Sequence, residues 1–309
     1  MEQESQTYGS PNTNDLRKSG KIRPVAEIGR ERPDRSAVTA MMMTQKADVH
    51  EYWNRASCGE ELLLAHRDRD GYETQRAERY RLEPYIPDFA GFDHCRGLKT
   101  LEIGVGLGAD HQSFAEGGAD LWGIDLTERA IEHTTRRLAL CGLQSRLKVG
   151  DAEHLDFADD TFDIVYSWGV LHHSPNTPQA FREVHRVLKP GGAARIMIYS
   201  KWSVVGMMLW TRYALLRGRP FCTMAEICGS HLESPGTKVY TVDEARRLCS
   251  GFRDVRIHTV LTHGDLLSSG AGQRHQGTLL NVARRLWPRW LIRRCAGNCG
   301  LFMLIDCIK

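Results

Sequence analysis

The sequence predicts an α/β protein: a mainly parallel sheet with helices packed on both faces. Two observations carry that expectation. From Leu98 onward, short apolar runs alternate with amphipathic stretches, so the hydrophobic period switches between that of a strand and that of a helix. Such βαβ alternation is the pattern of a parallel sheet. The first run, LKTLEIG, opens into a turn bearing Gly104, Gly106 and Gly108 before the helical stretch ADHQSFAEGG. Glycines at alternate positions leave the backbone bare enough to lie against a bound molecule, and ligands of these sheets sit at the carboxyl ends of the strands.

The later elements follow in order. ADLWGIDL is a second strand, ERAIEHTTRRLALCGL a helix, SRLKVGDA a third strand and FDIVYSWG a fourth. A helix from Gln179 to Leu188 ends in LKPGG, and AARIMIYS is a fifth strand. FRDVRIHTVL and GLFMLIDCIK add two strands after the helical units stop and read as a hairpin-like edge with a long loop. Around this core, residues 1–47 lack an apolar period and read as a mobile tail. Residues 48–97 read as an N-terminal helical cap, 98–200 as the ligand-binding core, 201–250 as a lid insertion, and 251–309 as the final strands carrying a basic Trp/Arg-rich insertion.

Composition bounds the function. The chain has 309 residues, 41% hydrophobic and 26% charged, which suits one large domain with additions. A net charge of +3 is too mild to make nucleic acid the default partner. Nine scattered cysteines, odd in number and preceded by no apolar signal segment, indicate a reducing compartment, and the expected location is cytoplasmic. Cys295 and Cys299 form a CxxxC without a second pair, so no structural zinc is expected.

The glycine turn alone admits two ligands. Gly104, Gly106 and Ala109 also satisfy G-x-G-x-x-G/A, and Asp125 follows where a dinucleotide motif places its ribose-binding acid. An NAD-dependent oxidoreductase is therefore a rival reading. Against it, Glu102 sets a carboxylate beside the turn, where it would repel a pyrophosphate and welcome a cationic ligand.

In order along the chain stand LEIGVGLG, GIDL, GDAEHLDF, DDTFDIVYSWGVLHH and RVLKPGG. With these five stretches at this spacing, residues 98 to 200 resemble the class I S-adenosylmethionine-dependent methyltransferases, in particular the small-molecule group that includes the quinone-biosynthesis methyltransferases. The resemblance implies a seven-stranded Rossmann-like sheet with its last strand antiparallel, S-adenosyl-L-methionine as cofactor, and in-line methyl transfer to a small-molecule acceptor. It also implies roles. Glu102 and the Gly104, Gly106, Gly108 turn would face the methionyl and sugar parts. Asp125, with Leu126, would bind the ribose hydroxyls, a two-oxygen acceptor suiting a vicinal diol. Asp151, with Ala152, would meet the adenine, and Ser167 and Trp168 the methyl donor. The plainer alternatives are a helix cap for Asp125 and a turn former for Asp151.

Displacement at a sulfonium methyl is mostly alignment, and a base is needed only if the acceptor must lose a proton. His172 and His173 in VLHH are the base candidates, against a structural role in packing the loop. SWGV lacks the prolines that the resemblance associates with nucleic-acid or glutamine methylation, and Ser167 and YSKW stand where a metal-assisted site would carry acids. No nucleic-acid partner and no metal are expected. Substrate contacts are expected from aromatics of the additions, Trp53, Tyr80 and Tyr240, with Glu233, Ser234 and Thr237 as polar contacts. SVVGMMLWTRYALL, too short to span a bilayer, reads as a lid helix over an apolar, lipid-like or natural-product acceptor, or as a segment lying against a membrane surface. Residues 274–294, rich in arginine and tryptophan without an acid, read as a peripheral membrane contact or polyanion-facing patch, or as a solvated helix packed by its Leu and Trp face. A catalytically silent methyltransferase-like binding protein is the remaining alternative.

Overall fold

Five parallel strands set the frame of the computed structural model, which describes residues 35–269 and 284–309. They are β1 (Lys99–Ile103), β2 (Asp120–Asp125), β3 (Arg146–Val149), β4 (Phe162–Trp168) and β5 (Leu188–Tyr199). β6 (Arg253–Val260) and β7 (Phe302–Ile308) complete a seven-stranded sheet of order β3-β2-β1-β4-β5-β7-β6. β7 runs antiparallel to both β5 and β6. The expected fold and its antiparallel edge are therefore present, with β7 inserted between β5 and β6.

Strand periodicity explains why both faces are covered. Alternate residues of β7 go to opposite cores: Met303, Ile305 and Cys307 to one, Phe302 and Leu304 to the other. The first core takes α7 (Thr177–Val187), whose Ala180, Phe181, Val184 and Val187 share one helical face. The second takes Ile86 and Ala90 of α4 (Ile86–Ala90) and Phe114 of α5 (Ala109–Glu116). α6 (Glu128–Cys141) begins at Thr127, whose side chain accepts from Ala130 N, and stops at Gly142 in the left-handed region. β5 begins at Leu188, earlier than AARIMIYS implied, because LKPGG continues the strand through a register shift against β4.

The N-terminal segments are α1 (Arg35–Arg55), α2 (Glu60–Leu63) and α3 (Arg69–Leu82). The boundary expected at residue 47 is not a break. α1 runs through it, since AVTAMMMTQKADVHEYW contains neither glycine nor proline, and beyond residue 40 Val49 is buried and Lys46 is ion-paired. Residues 40–309 form one compact unit, and of residues 1–39 only the opening of α1 is described. The chain between β5 and β6 folds as α8 (Val204–Tyr213), α9 (Met224–His231) and α10 (Val242–Leu248), and α11 (Arg289–Cys295) precedes β7. Among the described residues no helix is long and apolar enough to cross a membrane.

Glu60 ties the N-terminal segment to α6. Its carboxylate accepts from Arg129 Nε and Nη2, both at 2.7 Å, from Arg67 at 2.8 Å and from Ser57 N at 3.0 Å. Burial favours the neutral form, yet the Arg129 bonds, the Ser57 amide and His133 hold its pKa down at about 2. A carboxylate lowered on folding stabilises fully above its unfolded value and loses that contribution as pH falls toward 2. Glu60→Gln is expected to cost about 2 kcal/mol at neutral pH. In denaturant titrations across pH, the gap to wild type should close as the acid end approaches pH 2.

Candidate functional site

One cavity of about 1020 Å³ opens at the carboxyl ends of β1, β2 and β4. Its polar side holds Glu102, the turn from Gly104 to Gly108, Asp125, Leu126, Asp151 and Ala152. Most of the remaining wall is apolar, with Leu62, Leu63, Val204, Val205, Met207, Met208, Leu209, Trp168 and Phe302, interrupted by Arg79, Glu83, His173, Arg212, Glu233 and Arg284.

The turn is shaped by local sterics. Gly104, Gly106 and Gly108 have φ of +85°, +52° and +76°, a region that L side chains rarely adopt. At Gly104 a Cβ would lie 2.1 Å from Val170 Cγ2, so the turn packs directly on the segment after β4. At Gly106 a Cβ would meet nothing within 4 Å: there the bare backbone faces open space. Arg137, fully buried on α6, donates to Leu107 O at 3.0 Å and to Tyr72 O at 2.8 Å, holding the turn against α3.

Asp125 is fixed by the same turn. One carboxylate oxygen accepts from Gly106 N at 3.1 Å, and the other from Thr127 N and Thr127 Oγ1 at 3.0 and 2.9 Å. Burial raises its pKa against these bonds. Asp125 thus contacts the residue that caps α6 without being that cap, which is Thr127.

Glu102 differs from its sequence reading. His111 Nδ1 lies 2.8 Å from its Oε2, and His111 Nε2 lies 2.8 Å from Ser145 Oγ. Ser145 spends its only proton on Leu121 O, so Nε2 must be the donor to Ser145. One proton is then shared between Nδ1 and Glu102. Burial, first, and Asp110, second, push the Glu102 carboxyl well up, while burial takes His111 down to about 3. The pair is neutral overall, which corrects the expectation that Glu102 repels phosphate as a bare carboxylate.

Other expected residues separate into two groups. Trp53 lines the cavity, its ring 5.5 Å from and nearly edge-on to His173. His173 also lines it, Nδ1 held by Ser234 Oγ at 2.8 Å and Nε2 lying 3.4 Å from Glu233 Oε2. Glu233 is a cavity residue, and Tyr199 donates to it at 2.7 Å. Burial would raise the Glu233 pKa, but His173 and Tyr199 lower it.

His172, Ser167, Tyr80 and Tyr240 do not line the cavity. His172 is fully buried against Tyr199 and kept neutral by burial and by His173, so it is not placed to take a proton from a cavity ligand. Ser167 Oγ donates to Ile103 O, tying β4 to β1. The Tyr80 hydroxyl reaches Asp110 at 3.1 Å and Ser113 at 2.9 Å, bracing α3 on α5. Tyr240 packs on the core beside α10 and borders a separate groove with Lys238 and Arg247. Ser167 is placed by the resemblance, His172 by its position after the fourth strand, and Tyr80 and Tyr240 by residue type in the additions, none of which says what covers the side chain.

Three site residues escaped sequence reasoning. Lys46 donates to Asp151 at 2.6 Å and to Glu153 at 2.7 Å, covering the position expected to meet adenine. Both acids have lowered pKa values despite burial, through those bonds. Arg79 and Glu83 enter from α3 and the residue after it. Arg79 pairs with Asp110 at 2.8 Å and lies 3.4 Å from Glu83, whose pKa burial pushes up to about 7. Of the acid–histidine clusters, His172, His173 and Glu233 present donor atoms within 4.8 Å of one another. Glu233 already receives Tyr199, and His173 Nε2 stands 3.4 Å from it without a hydrogen bond, so the cluster is a carboxylate–imidazole arrangement.

Comparison with known proteins agrees with this geometry. A family model described as a methyltransferase domain matches residues 101–196. A sterol 4-C-methyltransferase of Caenorhabditis elegans is 35% identical over 101 residues, 32% of this chain and 29% of the relative. A methyltransferase of Streptomyces halstedii is 35% identical over 107 residues, 34% of this chain and 38% of the relative. The matched stretch thus spans less than two fifths of either relative. Among solved structures, a Haemonchus contortus phosphoethanolamine N-methyltransferase in complex with phosphomonomethylethanolamine and S-adenosylhomocysteine superposes with a TM-score of 0.53 at 16% identity, over 84% of this chain and 60% of that one. At that identity the likeness concerns the fold.

The raised Glu83 gives a pH signature. A carboxyl whose folded pKa exceeds the unfolded value of about 4.3 withdraws stability as pH rises between the two. Wild-type melting temperature should therefore carry a falling component between pH 5 and about 7 that Glu83→Gln lacks. Parallel melting profiles for the two proteins would contradict this assignment.

Proposed function

We propose that this chain, whose residues 101–196 are a methyltransferase domain, transfers a methyl group from S-adenosylmethionine to a small acceptor of largely apolar character. The observation that carries the reading is the continuity of one cavity from the glycine turn and Asp125 to the apolar wall of α8. Its volume of about 1020 Å³ lies at the top of the range for a single small ligand, roughly 300–1,000 Å³, which suits a cofactor and an acceptor side by side.

The residues fit the cofactor. Gly106 offers backbone with open space above it, as close approach of a ligand requires. Asp125 faces the cavity with three donors already bound, leaving carboxylate lone pairs for a ribose diol. Leu126 and Ala152 line the adenine side, and the neutral Glu102–His111 pair lies beneath the turn. When bound, S-adenosylmethionine supplies a methyl group on a positively charged sulfur. Trp168 and Trp53 exclude water from the region between the cofactor and acceptor sides. His173, aligned by Ser234 and backed by Glu233, holds the proton of an acceptor that must lose one.

Relatives named for sterols and for phosphoethanolamine mark two kinds of acceptor. The leucine and methionine wall favours the bulky apolar kind. Arg284 and Trp287 of the basic stretch 274–294 stand in that wall, so a peripheral lipid contact belongs to the same reading; residues 274–283 lie outside the described residues.

Calorimetric titration tests the cofactor. S-adenosylmethionine and S-adenosylhomocysteine should bind and NAD should give no heat. Asp125→Asn should weaken S-adenosylhomocysteine at least about tenfold, the worth of a charge-assisted hydrogen bond. Binding of NAD with neither adenosyl compound would overturn the reading.

A further inference from the structure

Exposed apolar side chains gather beside the cavity mouth. Leu62, Met207 and Leu216 line the cavity and are also exposed, so they mark its rim. Beyond Leu216 the chain turns at Gly218 and presents Phe221, 97% exposed. On the other bank, Trp287 stands in the cavity wall while Leu286 and Trp290 beside it are 78% and 71% exposed. Single exposed apolar residues are ordinary, whereas a collection of large ones around one opening marks an interaction surface.

Two of the stretches at this opening carry one-sided charge, whereas Leu62 stands beside the exposed Glu61. Residues 201–225 contain Lys201, Arg212, Arg217 and Arg219 without an acid, and residues 284–305 contain five arginines without an acid. The whole chain is only +3, so the excess is local. Parts of it are held in place: Arg289 donates to Leu266 O and Leu267 O, fixing its bank beside the cavity, and Arg212 and Arg217 flank the Tyr213 ring at 5.2 and 5.0 Å.

We propose that the two banks form a docking face for an anionic lipid bilayer, from which an apolar acceptor enters the cavity directly. This rests on the reading of the α8 side as the acceptor chamber. Arginines at headgroup level with Leu, Phe and Trp tips at the acyl boundary are the chemistry of an interfacial surface. A nucleic acid would pair with the arginines but gain nothing from the leucines. Opening the rim onto the bilayer lets an apolar molecule pass into the chamber without crossing water, whose displacement from apolar surface is the driving force for both steps.

Co-sedimentation with vesicles of equimolar phosphatidylcholine and phosphatidylserine tests the face, using the full chain. Wild type should pellet at low ionic strength and be released by high salt, and pure phosphatidylcholine should capture much less. Arg217→Glu, Arg293→Glu and Arg294→Glu, each a change of two charges, should each lower partitioning at least about fivefold, and Phe221→Ser with Trp290→Ser should lower it at every salt concentration. S-adenosylhomocysteine titration of the same variants should match wild type, which separates failure of this face from misfolding and from failure of the cofactor reading. Wild type remaining in the supernatant at low salt, partitioning that none of the variants changes, or preference for a duplex oligonucleotide over the vesicles would overturn the proposal.

Discussion

The hydrogen bond from Gly106 N to the Asp125 carboxylate joins the turn after β1 to the end of β2. Everything on the polar side of the cavity depends on that junction. Parallel pairing of β1 with β2 and β4 brings three strand ends to one edge, but strand ends alone leave a shallow rim. The positive-φ glycines fold the chain back across it and direct an amide at the acid. Arg137 locks the turn from beneath through Leu107 O, with its guanidinium bonded to neutral acceptors as well as to backbone.

Burying so much polarity beside the turn requires that each group be satisfied. Asp110 is held ionised by Arg79, with Tyr166 and Tyr80 also donating to it. Glu102 instead shares a proton with His111, whose other nitrogen is committed to Ser145. Two acids that are close neighbours in this network therefore carry different charge. The ionised carboxylates that face the cavity therefore include Asp151 and Glu233, whereas Glu102 is paired with His111.

Much of the fold was legible because strand and helix periods are local. LEIGVGLG, GIDL and GDAEHLDF place their glycines and acids at strand ends, and the structure brings Gly106, Asp125 and Asp151 to one cavity. What local patterns do not carry is which distant side chain completes a group. Lys46 lies 105 residues before Asp151, in a stretch whose composition resembles a solvated tail, and only the fold brings them to 2.6 Å. His111 is nine residues after Glu102, and its role emerges only when Ser145 fixes the proton count. Tyr80 and Tyr240 have the residue type of a pocket lining, but their neighbours are Asp110 in one case and the packed face of α10 in the other.

Amide hydrogen exchange with and without S-adenosylhomocysteine tests the central claim most directly, because it reads the backbone of the turn itself. The account predicts slower exchange at residues 104–108 and 125–127 on addition of the ligand, with β6 unchanged. Unaltered exchange at both segments under saturating ligand, or protection confined to the groove between Lys238 and Arg247, would contradict it.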